Sequence, residues 1–235
     1  MHDPANPTQE PPMPQTPTRE QLAKMIDHAV LAPQAGRAEV LAGCDVAMKY
    51  AVKCLCVKPC HNSLAAQTLA GSGVLVGAVV GFPHGADVTA IKAAQARAAV
   101  ADGADELDMV LNIGALRDGD LDFLRLDIRA VVEAAQGRCV KVIIECALLD
   151  RAQKIAACQV AEQAGANFVK TYTGFAASGA TAQDVQLMRQ TVGPQMQVKA
   201  AGGIRSLHDA LAMIQAGATR LGTSATANIL DNCES

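Results

Sequence analysis

The sequence predicts one α/β domain, a (β/α)8 TIM barrel preceded by a disordered proline-rich N-terminal arm, on three observations. Short apolar stretches alternate with helix-length ones from residue 19 onward, and eight such units fit into about 210 residues, the small end of the barrel size range. Hydrophobic residues make up 50% of the chain while aromatics are 3% and Trp is absent, so Ala, Val, Leu and Ile must fill the interior, which suits parallel strands covered by helices. Six of the ten prolines fall in residues 1–17, where apolar periodicity is almost missing, as in a chain segment that buries nothing. The expected limits are therefore 1–17 for the arm and 18–235 for the barrel. A doubly wound open sheet is the structural alternative, but it usually has fewer strands and places its glycine-rich turn first.

Taken in order, Thr18 with Gln21 reads as a capping box that opens a short helix, followed by a first strand over 25–31 that stops at Pro33. A helix over 37–49 leads to strand 51–57, helix 61–70, strand 74–80, helix 87–101 and strand 104–111. Helix 120–135, strand 139–145, helix 150–164, strand 167–171, helix 182–191 and strand 196–200 continue the alternation. Helix 206–216, strand 218–221 and a short helix from Ser224 close it.

Composition excludes several function classes. A net charge of −3 without a basic tract offers no footprint for nucleic acid or an anionic membrane. The longest apolar run, residues 74–82, is far below the roughly 20 residues that span a bilayer, and no signal-peptide pattern appears near the start. Of the eight cysteines, Cys54, Cys56, Cys139 and Cys146 lie in strand-like runs, which favours reduced thiols in a cytoplasmic protein over a disulfide scaffold. The run CLCVKPCH, residues 54–61, has the wrong spacing for a zinc knuckle. Cys54 and Cys56 should share one barrel face, with Cys56 a thiol open to substrate.

The chemistry concentrates on strands. NFVKTYTGF (167–175) and QVKAAGGI (197–204) each place a lysine, Lys170 and Lys199, near the end of a buried strand, where an ammonium loses hydration without compensation. Strand alternation puts Phe168 and Lys170, Gln197 and Lys199, Glu106 and Asp108, and Lys141, Ile143 and Glu145 on inward faces. A neutralised ion layer, with Lys170 held by Asp108 or Glu145, is the chemically silent explanation. Mutual repulsion of two lysines is the active one. A lysine at its reference pKa is about 0.04% neutral at pH 7, and lowering that pKa to ~7 raises the nucleophile about a thousandfold. Gly202 and Gly203 after the seventh strand, with Gly222, Thr223 and Ser224 opening the last helix and Arg205 nearby, suggest an anion grip. Asp27 and His28 on the first strand are either site residues or a buried hydrogen-bonded pair.

Several segments in the same order, IDHAVL, CVKP, GFPHG, ELDMVLNIGAL, KVIIEC, FVKTYTGF with GAT after it, VKAAGGIR and RLGTS, resemble the deoxyribose-phosphate aldolases. The resemblance spans about residues 20–230. It implies a class I lyase that needs no cofactor and no metal and acts on a small aldehyde and a sugar phosphate, with room for a homodimer. By the same resemblance Lys170 is the Schiff-base lysine, Lys199 the lysine that lowers its pKa, and Asp108 an acid/base acting through water. Phosphate falls to Gly174, Gly202, Gly203, Arg205, Gly222 and Ser224. The chain departs from the family pattern at Ala29 (usually Thr), Lys58 (a small polar residue), Tyr172 (Ser), Ser178 (Gly) and Ala225 (small polar), and no tyrosine follows Tyr172. A lost hydroxyl and a bulky ring beside the nucleophile predict weaker turnover of the phosphorylated sugar than in typical members. The rival functions are a Schiff-base aldolase or transaldolase with another carbonyl substrate, and a barrel that binds a sugar phosphate without turning it over.

Overall fold

The computed structural model describes residues 16–233, so most of the arm expected over 1–17 lies outside the described residues. The strands are β1 (Ile26–Val30), β2 (Cys54–Val57), β3 (Leu75–Val80), β4 (Glu106–Val110), β5 (Cys139–Ile143), β6 (Phe168–Lys170), β7 (Gln197–Ala201) and β8 (Arg220–Thr223). All pair in parallel, and β8 returns to β1 to close the barrel. The helices are α1 (Arg19–Ala23), α2 (Arg37–Lys49), α3 (Asn62–Leu69), α4 (Thr89–Ala101), α5 (Ile113–Arg117), α6 (Leu121–Ala134), α7 (Arg151–Gln163), α8 (Ala182–Thr191), α9 (Leu207–Gln215) and α10 (Thr226–Leu230). Among the described residues no helix is long and apolar enough to cross a membrane.

The capping chemistry sets where helices begin. Thr18, Asp150 and Ser206 each accept from the backbone three residues on, and the side chain found there answers the cap, satisfying N–H groups that the first helical turn leaves orphaned. Between strands and helices lies the main core, built from small and branched residues such as Val40, Leu107, Ile128, Val142, Val169, Val198 and Leu221.

Three expectations need correction. The short helix α5 before α6 was not foreseen; Asn112 caps it by accepting from Ala115 N. The last strand runs two residues farther than 218–221, because Gly222 and Thr223 stay in register with Ala201 and with Asp27 and His28. Gly222 is therefore a strand residue rather than a helix-opening turn. A Cβ there would come 2.9 Å from Ala201 Cβ and 3.2 Å from Lys199 Cε, so its missing side chain makes room for that lysine. Finally, β5 ends at Ile143 and Glu145 is left-handed at φ 54°, which turns its carboxylate away from the barrel charges. It accepts instead from Thr173 Oγ1 at 2.5 Å.

The barrel interior is polarised. Cys54, Cys56, Val79 and Leu31 form an apolar cluster with Ala29 against the β1–β3 arc. The charged side chains come from β1 and from β4 to β8.

Candidate active site

Seven ionisable groups meet inside the barrel: Asp27 from β1, Glu106 and Asp108 from β4, Lys141 from β5, Lys170 from β6, Lys199 from β7 and Arg220 from β8. Strand alternation aims them inward, and all are buried. At the lower end Arg220 donates to Asp27 Oδ1 at 2.7 Å and to Glu106 Oε2 at 2.9 Å. Lys141 reaches Glu106 at 2.6 Å and Asp108 Oδ1 at 2.8 Å, with Asp27 at 3.6 Å. Lys199 sits between Asp27 Oδ2, which it touches closely, and Asp108 Oδ2 at 2.8 Å. Lys170 has a single carboxylate contact, to that same Asp108 oxygen at 2.7 Å.

The cluster holds four cationic side chains against three carboxylates. Burying an unmatched charge costs several kcal/mol, so the cluster is relieved when one amine gives up its proton. Lys170, with the fewest partners, is the amine that does so at least cost. Burial is the largest influence pushing its pKa below the ordinary lysine value; Asp108 opposes the shift, and the neighbouring Lys199 ammonium adds to it. For Lys199 burial also acts downward, but Asp108 and Asp27 outweigh it and hold the amine above its ordinary value. Lys141 is raised for the same reason. Burial would lift both aspartates, yet the surrounding cations hold Asp108 well below the carboxylate range and Asp27 at about 2.

Above the cluster opens a cavity of about 590 Å³ whose floor includes Lys170, Lys199, Asp27 and Cys56. Its walls carry Gly174, Gly202, Gly203, Arg205, Gly222 and Ser224, all six positions expected to meet phosphate. Gly202 and Gly203 are both left-handed, at φ 91° and 77°, a pair of conformations that turns backbone toward the cavity and that side chains disfavour. Arg205 is exposed, and its guanidinium makes no ion pair among the described residues. Asp108 is not on the cavity wall; it lies beneath, directly against both amines.

Residues 19–231 match the family model of the DeoC/LacD family aldolases. A deoxyribose-phosphate aldolase of Clostridium perfringens is 50% identical over 214 residues, 91% of this chain and 96% of that protein. This chain belongs to the DeoC/LacD aldolase family. A crystal structure from Coccidioides immitis aligns with this family member at TM-score 0.90 and 38% identity, covering 95% of this chain and 91% of that one. The tetrameric deoxyribose phosphate aldolase of Aeropyrum pernix aligns at TM-score 0.86 and 31% identity, covering 91% of each chain.

The aldolase chain places its departures unevenly. Ala29 lines the cavity. Tyr172 does not: its ring is 2% exposed and packs in the main core, and its hydroxyl reaches Asp184 Oδ2 on α8 at 3.3 Å. The expectation of a bulky ring beside the nucleophile is thus corrected, since Tyr172 follows the end of β6 on the helix side. Lys58 donates to the carbonyls of Pro33 and Ala35, both at 2.8 Å, and so clamps the β1–α2 loop that forms one cavity wall. His28 faces outward, paired with Thr226 at 2.9 Å, while burial lowers its pKa to about 4. Asp27 is thereby separated from His28 and belongs to the charge cluster. Arg220 lies inside the strand expected over 218–221, yet the sequence pattern does not single it out; its role appears only when β8 closes on β1 and sets it against Asp27.

Proposed function

We propose that this aldolase cleaves 2-deoxy-D-ribose 5-phosphate reversibly to acetaldehyde and D-glyceraldehyde 3-phosphate through a Schiff base on Lys170. The carrying observation is the shortage of carboxylates: Lys170 shares its one carboxylate oxygen with Lys199 and faces the cavity. Neutral Lys170 Nζ adds to the substrate aldehyde carbon, and the carbinolamine loses water to give an iminium. A base removes the C3 hydroxyl proton, the C2–C3 electron pair moves into the iminium, and glyceraldehyde 3-phosphate departs from an enamine. Protonation of the enamine at carbon and addition of water then release acetaldehyde and restore the amine.

Lys199, cationic and on the cavity floor, is the proton donor in this scheme. Asp108 remains the acid/base group of the sequence analysis in a modified form, a bridge through which a proton passes between Lys199 and Lys170. Lys141 and Arg220 keep Asp108 and Asp27 ionised. Gly174, Gly202, Gly203 and Ser224 offer backbone to the 5-phosphate and Arg205 its guanidinium, while Gly222 contributes the open wall left by its missing side chain. Ala29, which replaces a hydroxyl on the cavity wall, favours slower turnover of the phosphorylated sugar than in typical members. The eight cysteines are all free thiols, which supports a cytoplasmic setting.

Incubation with acetaldehyde followed by borohydride reduction and peptide mapping tests the scheme. The expected product is a single ethyl adduct on Lys170; an adduct on another lysine, or none, overturns it. Cleavage assays with deoxyribose 5-phosphate, deoxyribose and other aldol substrates then decide the substrate. A preference for a different aldol would retain the Schiff base and replace the sugar phosphate.

A further inference from the structure

The two cysteines of β2 take no part in the scheme above, yet they are placed as ligands. Cys54 and Cys56 are two residues apart on one strand, so both sulfurs point into the barrel. Asp27 is the β1 residue in register with Cys54. One carboxylate oxygen and both sulfurs lie within 4.8 Å of one another, all three residues being buried. On the other side stands Gly77 of β3, where a Cβ would come 2.9 Å from each sulfur; the absent side chain leaves the two thiols facing a common space. A tetrahedral zinc ion with Zn–S near 2.3 Å and Zn–O near 2.0 Å sets its ligands about 3.3–3.8 Å apart, so modest rotamer adjustment completes the set. Asp27 and Cys56 also line the cavity, which gives an ion a path from solvent.

We propose that Asp27, Cys54 and Cys56 form a binding site for a thiophilic divalent cation such as Zn2+, whose occupancy pushes Lys199 Nζ out of its place between Asp27 and Cys56, away from its position beside Lys170, and so switches the amine pair off. Two sulfurs and one carboxylate select zinc or cadmium over magnesium or calcium, which prefer all-oxygen ligands. The place is at present held by a cation of the protein itself: Lys199 Nζ touches Asp27 Oδ2 and lies 3.8 Å from Cys56 Sγ, two of the three donors. On binding, each thiol releases its proton to solvent, the metal takes two thiolates and the carboxylate, and Lys199 loses Asp27 as its partner. The site is an inhibitory one, distinct from a catalytic metal, and its ligands differ from the Cys60 and His61 that follow in the same run; Cys60 is exposed on the short turn after β2.

Cadmium serves as the probe because its thiolate complexes absorb in the ultraviolet. Titration of the intact chain should give a thiolate-to-metal band saturating at one ion per chain, and 113Cd resonance should report a two-sulfur ligand set. Removing outer-shell partners alone costs 10–100-fold in metal affinity, so Cys54→Ser should weaken tight Cd2+ binding by at least about tenfold. Cys60→Ser should leave it unchanged. In parallel, one equivalent of Cd2+ should suppress borohydride trapping of acetaldehyde, with recovery on adding a chelator. An all-oxygen or single-sulfur 113Cd signal, or equal binding by Cys54→Ser and the parent, overturns the site. Normal trapping with the site saturated overturns the switch. The absorption and resonance measurements do not depend on which aldol the enzyme cleaves, so failure of the substrate assignment is distinguishable from failure of the metal site.

Discussion

Lys92 and Lys170 are both enclosed lysines that donate to an aspartate, at 2.6 Å to Asp127 and at 2.7 Å to Asp108. The first pair joins α4 to α6 in the helix layer, one cation to one anion, with Thr89 Oγ1 donating to the remaining aspartate oxygen at 2.8 Å. The second aspartate is shared by three amines, Lys141, Lys170 and Lys199. Similar contact distances therefore describe opposite situations. Lys92 has its counterion to itself and closes the helix layer, whereas Lys170 competes for one and is the side chain that gains by losing its charge. A buried ion pair says little about role until the charges around it are counted.

The comparison breaks most sharply when each lysine is replaced. Lys170→Met should abolish imine trapping and lower aldol cleavage on the order of 10⁴-fold or more, as loss of a nucleophile does. It should leave stability to denaturant within about 1 kcal/mol of the parent or higher, because the excess cation is gone and Asp108 keeps two partners. Lys92→Met should do the reverse, costing about 3–5 kcal/mol by orphaning Asp127 while the folded fraction still forms the imine. A Lys170→Met protein that loses as much stability as Lys92→Met would contradict the charge count.

Lys199→Met sharpens the same contrast, and kcat should fall about 100-fold or more through loss of the proton donor. The pH profile should move as well. Activity rises with pH as Lys170 loses its proton, and removing Lys199 both ends the repulsion and frees Asp108 for Lys170, so the rising limb shifts to higher pH. An unmoved limb would show that burial alone sets the Lys170 titration.

Smaller effects are expected outside the charge cluster. His28 is held neutral by burial, with its pKa lowered to about 4. The unfolded chain binds its proton near pH 6.5, so this residue contributes stability that is complete above that pH and is lost as the pH falls from about 6.5 toward 4. Denaturant midpoints for His28→Gln should show a flatter decline over that window. Smallest of all, Tyr172→Phe should cost about 0.5–1.5 kcal/mol for the bond to Asp184 and leave kcat/KM within about twofold. A large change in substrate preference would mean the ring reaches the cavity after all.

What could be read in the sequence, and what could not, follows the range of the interaction. The barrel and the inward faces of Lys170, Lys199, Asp108 and Lys141 came from strand period, and Gly202, Gly203 and Gly222 from their spacing after the last strands, all of which are local; Gly174 was implied only by the family resemblance. The charge count did not, because it requires Asp27 and Arg220 from opposite ends of the chain to meet between β1 and β8. Glu145 was misplaced because one left-handed residue ends the alternation on which its inward face was inferred. Tyr172 was misplaced for a related reason: β6 ends at Lys170, and beyond it the period of two no longer applies. Lys92 gave no signal, since an apolar helix face with one lysine reads as a solvated position until α6 supplies Asp127.

The most direct measurement is a site-resolved titration of the lysine side chains, by nuclear magnetic resonance on chain labelled at lysine Cε and assigned with Lys170→Met and Lys199→Met. The account predicts that Lys170 titrates below the ordinary lysine value while Lys141 and Lys199 stay charged beyond it. Lys170 titrating at or above the value of exposed lysines would contradict it.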